Sequence, residues 1–136
     1  MTKKKKIHLK TYKGQYIPLT RRCLQGHNLT MLSPLGSKLF IYVLGMYSGF
    51  NNGDICLTWS LVKWHKWNSK ASLYKAIKEL LDAGWIVVTR RGGRNKCTLY
   101  ALTPYWLDDC GGKLDSGFNK PTTSPIGGWE IGNGNI

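Results

Sequence analysis

The sequence predicts an α+β domain, with helices first and a β-hairpin after them. Three observations carry this. Apolar residues recur at helical spacing over 35–47 and again over 70–83, each run preceded by a serine suited to capping a helix. Two stretches rich in Val, Ile, Thr and aromatics follow, at 85–90 and 97–102, separated by a Gly-Gly-containing connection. The 136 residues are 42% apolar, which suffices for one core.

Taken in order, residues 1–14 form a flexible basic arm with a Lys run over 3–6 and further basic residues at His8, Lys10 and Lys13. Residues 16–29 hold one short helix starting near Thr20. Ser33 is an N-cap and Pro34 occupies the first helical position of the next helix, whose Leu35, Leu39, Tyr42, Val43 and Met46 share a face. Gly49 and Asn51-Asn52-Gly53 end it with turn chemistry. Residues 54–57 allow only a short strand. Thr58 is then the N-cap of a second helix over 59–66, with Leu61, Val62 and His65 near one face. Asn68-Ser69 breaks it, and Ser69 opens a third helix reaching Ala83. Its apolar stripe is Leu73, Ala76, Ile77, Leu80 and Leu81, and Gly84 is its C-terminal capping residue. Between the two strands, Gly92 and Gly93 favour a hairpin turn centred on them. From Gly111 onward the chain is Gly-rich, with Pro121 and Pro125, and reads as a tail. The expected organisation is an arm at 1–14, a domain at 15–109 and a flexible tail at 110–136. Helix, short strand, helix, tight turn, helix and hairpin is the order of a winged helix-turn-helix: a three-helix core plus a β-hairpin wing.

Charge points to a polyanionic partner. Lys and Arg total 20 against 7 Asp and Glu, a net charge of +13. Residues 1–53 contain nine Lys/Arg and no acid, and residues 63–96 contain nine more against Glu79 and Asp82. The longest apolar stretch, 39–46, falls well short of the roughly 20 residues a membrane-spanning helix needs, and no signal-peptide hydrophobic region is present. Cys23, Cys56, Cys97 and Cys110 form no CxxC pair and have no accompanying His motif, so they read as buried free thiols in a reducing cytoplasm rather than metal ligands.

The candidate contact residues lie on the third helix and the hairpin. With Leu73 facing the core, Ala71, Lys75, Lys78 and Asp82 point outward, flanked by Ser72 and Tyr74. Ser69, Lys70 and Ser72 occupy the first turn, where backbone N–H groups favour a phosphate. Lys75 is the leading base-edge or deep phosphate contact and Lys78 a phosphate clamp. The hairpin tip carries Arg90, Arg91, Arg94, Asn95 and Lys96 with no acid, an arrangement that repels itself unless an anion is near. Trp67 is expected in the core. Trp59 and Trp64 cannot both face that core beside Leu61 and Val62; an exposed one can stack on a base or a partner protein, and burial of a tryptophan edge against the N-terminal segment is the preferred arrangement. The scattered His8, His27 and His65 support no catalytic assignment. Asp108, Asp109 and Asp115 read as a turn or helix end rather than a nuclease metal site. No cofactor or metal is expected.

The segments "NNGDICLT", "WNSKASLYKAIKELLDAGWI", "RNKCTLYALT" and "DDCGGKLD", in this order, resemble small winged-helix proteins encoded by prophages, phages and plasmids of Gram-negative bacteria. The likeness spans about residues 30–125. It implies that Ser69, Ser72 and Lys75 open the recognition helix, that Arg94-Asn95-Lys96 lie in the wing, and that the setting is a bacterial cytoplasm near replication functions. The aromatic second helix, the four-Lys N-terminus and Pro104 depart from the pattern. The expected function is binding of double-stranded DNA in replication or transcription control, without enzymatic activity. The alternative is a module that inhibits or recruits a host or phage protein, an anti-defence role included. RNA binding by the same basic surface is a third option. Oligomeric state is not legible.

Overall fold

The computed structural model describes residues 14–130, so the Lys run, His8, Lys10 and Lys13 lie outside the described residues. Over that range the chain is an α+β domain of five α-helices and a three-stranded antiparallel sheet. The helices are α1 (Arg21–Gln25), α2 (His27–Thr30), α3 (Pro34–Met46), α4 (Trp59–Val62) and α5 (Lys70–Asp82). The strands are β1 (Ile55–Cys56), β2 (Ile86–Arg90) and β3 (Leu99–Leu102), in the order β1-β3-β2.

Local capping chemistry sets the helix ends. Thr20 accepts a hydrogen bond from the Cys23 N–H at 3.3 Å and starts α1 where expected, although Gly26 splits the segment into two short helices. Ser33 caps α3 through the Gly36 N–H at 3.1 Å, with Pro34 at the first helical position. Ser69 caps α5 through the Ser72 N–H, also at 3.1 Å. At the other end of α5, Gly84 has φ +82°, its N–H bonds the Leu81 carbonyl, and the Trp85 N–H bonds the Leu80 carbonyl. That double bond pattern is a Schellman motif, and buried Leu80 and Trp85 provide its hydrophobic contact.

The second helix is shorter than 59–66. It stops at Val62, continues as a 3₁₀ turn over Lys63–His65, and is reversed by Lys66 in the left-handed region at φ 59°. That reversal lets Trp67 enter the core at 6% exposure, with the Lys38 ammonium 5.3 Å from its ring centroid. Trp64 is left outside at 79% exposure, which corrects the expectation of a buried tryptophan edge, while Trp59 is half-buried.

The main core joins Leu39, Phe40 and Val43 of α3 to Leu73, Ile77 and Leu80 of α5, with Trp85, Ile86 and Leu102 beneath. α5 is fastened to α3 by Glu79, whose carboxylate accepts from the Ser33 N–H at 2.7 Å and the Ser33 hydroxyl at 2.6 Å. A carboxylate at a helix N-terminus is favoured by the helix dipole. Gly36 makes room for it, since a Cβ there would meet the Glu79 carboxylate at 2.3 Å.

Residues 110–130 are not a flexible tail. They cover the face of the sheet turned away from the main core, where Leu99 and Ala101 pack with Leu107 and Leu114, and with Phe118 and Ile126 around them. The Asp115 N–H bonds the Thr89 carbonyl, and the N–H groups of Ile126 and Gly127 bond the carbonyls of Tyr105 and Thr103. Trp129 then returns to the main core and stacks on Trp85 at 5.3 Å. The glycines of this segment suggest a linker, but its widely spaced large apolar residues each anchor it. All four residues of β3 are buried, so the sheet needs cover on both faces.

Candidate nucleic-acid interface

Two elements bring the expected contact residues to the surface. On α5, Lys70, Tyr74, Lys75 and Lys78 are exposed, Ser69 is exposed at the cap, and Ser72 is half-buried. The Ser69 and Ser72 side chains are engaged with the first turn: the Ser72 hydroxyl donates to the Ser69 carbonyl at 2.8 Å. Lys78 pairs with Asp82 at 2.8 Å across a solvent-facing turn, with side chains 75% and 65% exposed. Such a pair contributes about 0.3–0.5 kcal/mol, so its ammonium can be exchanged to a phosphate at little cost.

The hairpin presents Arg91, Arg94, Asn95 and Lys96 as exposed residues. Its turn is centred on Arg94-Asn95 rather than on the glycines. Gly93 and Lys96 exchange both backbone hydrogen bonds, at 2.9 and 3.2 Å, and Asn95 takes the positive φ of 57°. Asparagine tolerates that conformation. Gly92 instead permits close approach of the strands, because a Cβ there would lie 2.6 Å from the Thr98 hydroxyl oxygen.

Arg90 departs from its expected place. Its guanidinium turns inward and donates to the Cys97 carbonyl at 2.8 Å, with the Cys97 sulfur at 3.7 Å. It braces the two strands of the hairpin and does not extend from the tip. The hairpin base also has an acid close by: Asp115 accepts from the Arg91 N–H at 2.8 Å. Asp108 accepts from the Asn52 N–H, and Asp109 accepts from the Gly111 N–H. The three aspartates therefore fix separate turns, and no cluster of three or more metal-ligating side chains occurs among the described residues.

Tyr74 and Lys78 of α5 meet the hairpin in a pocket of about 330 Å³ that also includes Thr58, Trp59, Thr98 and Tyr100. On the opposite flank of α5, Ser72, Lys75 and Lys78 border a groove of about 720 Å³ whose other wall is Met31, Pro34 and Leu35. Nothing in the sequence alone sets Trp59 or Tyr100 near Tyr74. Of the cysteines expected to be buried, Cys23 is, while Cys56, Cys97 and Cys110 are half-buried. Cys56 and Cys97 are in contact: the Cys56 thiol is pushed up from its ordinary range first by burial and then by a hydrogen bond with Cys97. The pairing of β1 with β3 creates both neighbourhoods. A signal was present in the alternation of 97–102, which sets Thr98 and Tyr100 on one face and Cys97 and Leu99 on the other.

The chain matches no protein-family model, and neither curated proteins nor solved structures give a match.

Proposed function

We propose that this chain is a winged helix-turn-helix protein that binds double-stranded DNA, acting in replication or transcription control and carrying no catalytic step. In this assignment α4 and α5 form the helix-turn-helix, and the β2–β3 hairpin is the wing. The pairing of β1 with β3 and the left-handed turn at Lys66 support it. One observation carries the function: exposed cations stand on two neighbouring projections, Lys70, Lys75 and Lys78 on α5 and Arg91, Arg94 and Lys96 on the hairpin. A helix of this kind enters the major groove with its first turns, and a basic hairpin lies on the adjacent phosphates.

The test is fluorescence anisotropy of a mixed-sequence duplex across a salt series, with single-stranded DNA and RNA of equal length beside it. Binding on the order of 10⁻⁶ M or tighter, falling steeply with salt, is expected for the duplex. Lys75→Ala combined with Arg94→Ala weakens it more than about tenfold at moderate salt. Unchanged affinity in that double variant would refute the assignment of α5 and the hairpin.

Exposed Trp64, Ile41 and Phe50, at 79%, 68% and 84%, favour a second reading as a protein-interaction module of the kind a mobile element encodes. Absence of duplex binding at low salt would select it.

A further inference from the structure

We propose that the pocket between α5 and the hairpin receives one unpaired nucleobase, so that the protein prefers DNA with an extruded or bulged nucleotide over a perfect duplex. The inference rests on the DNA-binding reading above. At about 330 Å³ the pocket lies at the small end of the range for ligand sites, the size for one flat heterocycle. Three aromatic side chains line it: half-buried Trp59, exposed Tyr74 and buried Tyr100. Bases stack on such rings whatever their sequence. The Thr58 and Thr98 hydroxyls stand among them; Thr58 is 3.2 Å from the Ser60 hydroxyl and Thr98 accepts from the Gly92 N–H at 3.0 Å, and each hydroxyl keeps further hydrogen-bonding capacity for the polar edge of a base.

The cations determine the ligand class. Lys78 stands at the edge of the pocket. Thr98 is shared with an adjoining hollow of about 390 Å³ that it lines with Val88, Arg91 and Gly92. An aromatic slot lined by Lys78, with Arg91 in the hollow that shares Thr98, fits a base that arrives attached to its phosphodiester. An apolar peptide side chain would use the rings and the Leu57, Ile77 and Leu81 side chains beside them, but it would give Arg91 no counter-charge and would leave Lys78 on Asp82. Trp59 and Tyr100 are placed by the fold, Trp59 as the first residue of α4 and Tyr100 opposite Ile55, so two walls of the slot are set before any ligand arrives.

The experiment compares the full chain on a duplex and on the same duplex carrying a single bulged 5-iodouracil, by anisotropy and by photo-cross-linking with mass-spectrometric mapping. The bulged duplex is expected to bind about tenfold more tightly, with the cross-link at Trp59, Tyr74 or Tyr100. The ratio of the two affinities falls to about one in Tyr74→Ala and stays near ten in Tyr74→Phe, because the ring and not the hydroxyl supplies the stacking. Lys75→Ala with Arg94→Ala lowers both affinities and preserves the ratio. Equal affinities, or a cross-link elsewhere, overturn the base pocket while leaving duplex binding intact. No binding to either DNA overturns the DNA-binding reading itself.

Discussion

Asn52 ties three distant backbone groups to one side chain. It is fully buried; its amide oxygen accepts from the Leu102 N–H at 2.7 Å, and its amide nitrogen donates to the carbonyls of Leu102 and Trp106 at 2.9 and 2.8 Å. The side chain thus acts as a short extra strand beside the end of β3. Asn52→Ala leaves three backbone groups without partners, each worth about 1–3 kcal/mol when buried and unpaired. Urea unfolding should show a loss of about 3–5 kcal/mol; a loss under about 1 kcal/mol would mean that water replaces the amide. The sequence marks Asn52 only as a turn residue, since its partners lie some fifty positions away. By contrast Ser33 and Ser69 are legible as caps because each acts on a residue three positions on, whereas Thr58 takes the N-cap position of α4 without a side-chain cap bond and its hydroxyl meets Ser60 instead.

The same contrast between local and distant causes separates the elements that sequence reveals from those it hides. α3 and α5 are readable from their apolar spacing and caps, and β2 and β3 from composition. The second helix is read too long because the stop is a backbone reversal at Lys66, a residue with no composition signal for the left-handed region. The hairpin turn is displaced from Gly92-Gly93 because the strands select Asn95 for the positive φ and use Gly92 for clearance. The C-terminal segment is misread altogether: its glycines dominate the composition, while its hold on the domain depends on single residues such as Leu114 and Trp129. Trp129→Ala should therefore lower stability by about 3–5 kcal/mol, as for a core tryptophan. A tail that did not pack would leave chemical denaturation within about 0.5 kcal/mol of the parent. Of the candidate interface, α5 and the tip cations are legible. The inward turn of Arg90 and the aromatic pocket are not, since both depend on what lies across the sheet.

Across the whole molecule, charge and aromatic content set how the fold responds to its medium. Tyr42, Tyr47, Tyr100 and Tyr105 all have hydroxyls pushed above their ordinary value of 10.0, in each case chiefly by burial. For Tyr47 the Asp108 carboxylate adds to the effect. The folded state keeps these protons longer than the unfolded chain, so their contribution is fully present below about pH 10 and is lost as pH rises beyond it. Alkaline titration followed by tyrosinate absorbance and by circular dichroism should show buried Tyr100 and Tyr105 ionising together with unfolding. Ionisation of both while the far-ultraviolet signal holds would contradict their burial. The net charge of +13 acts in the opposite direction at neutral pH, since self-repulsion weakens the compact state and a bound polyanion relieves it.

The segment that closes over the sheet has a consequence for how the protein is made. Translation delivers α3, α5, β2 and β3 before residues 110–130 exist, so Trp85, Leu99 and Ala101 must wait for their covers, Trp129 and Leu114. During that interval the nascent chain presents one uncovered apolar face of the sheet, the kind of surface that chaperones hold and that drives aggregation. A ribosome that pauses in this stretch, or a message cut short within it, yields an adhesive fragment and not a smaller working domain. The segment that follows the sheet in the chain thus decides whether the sheet is covered.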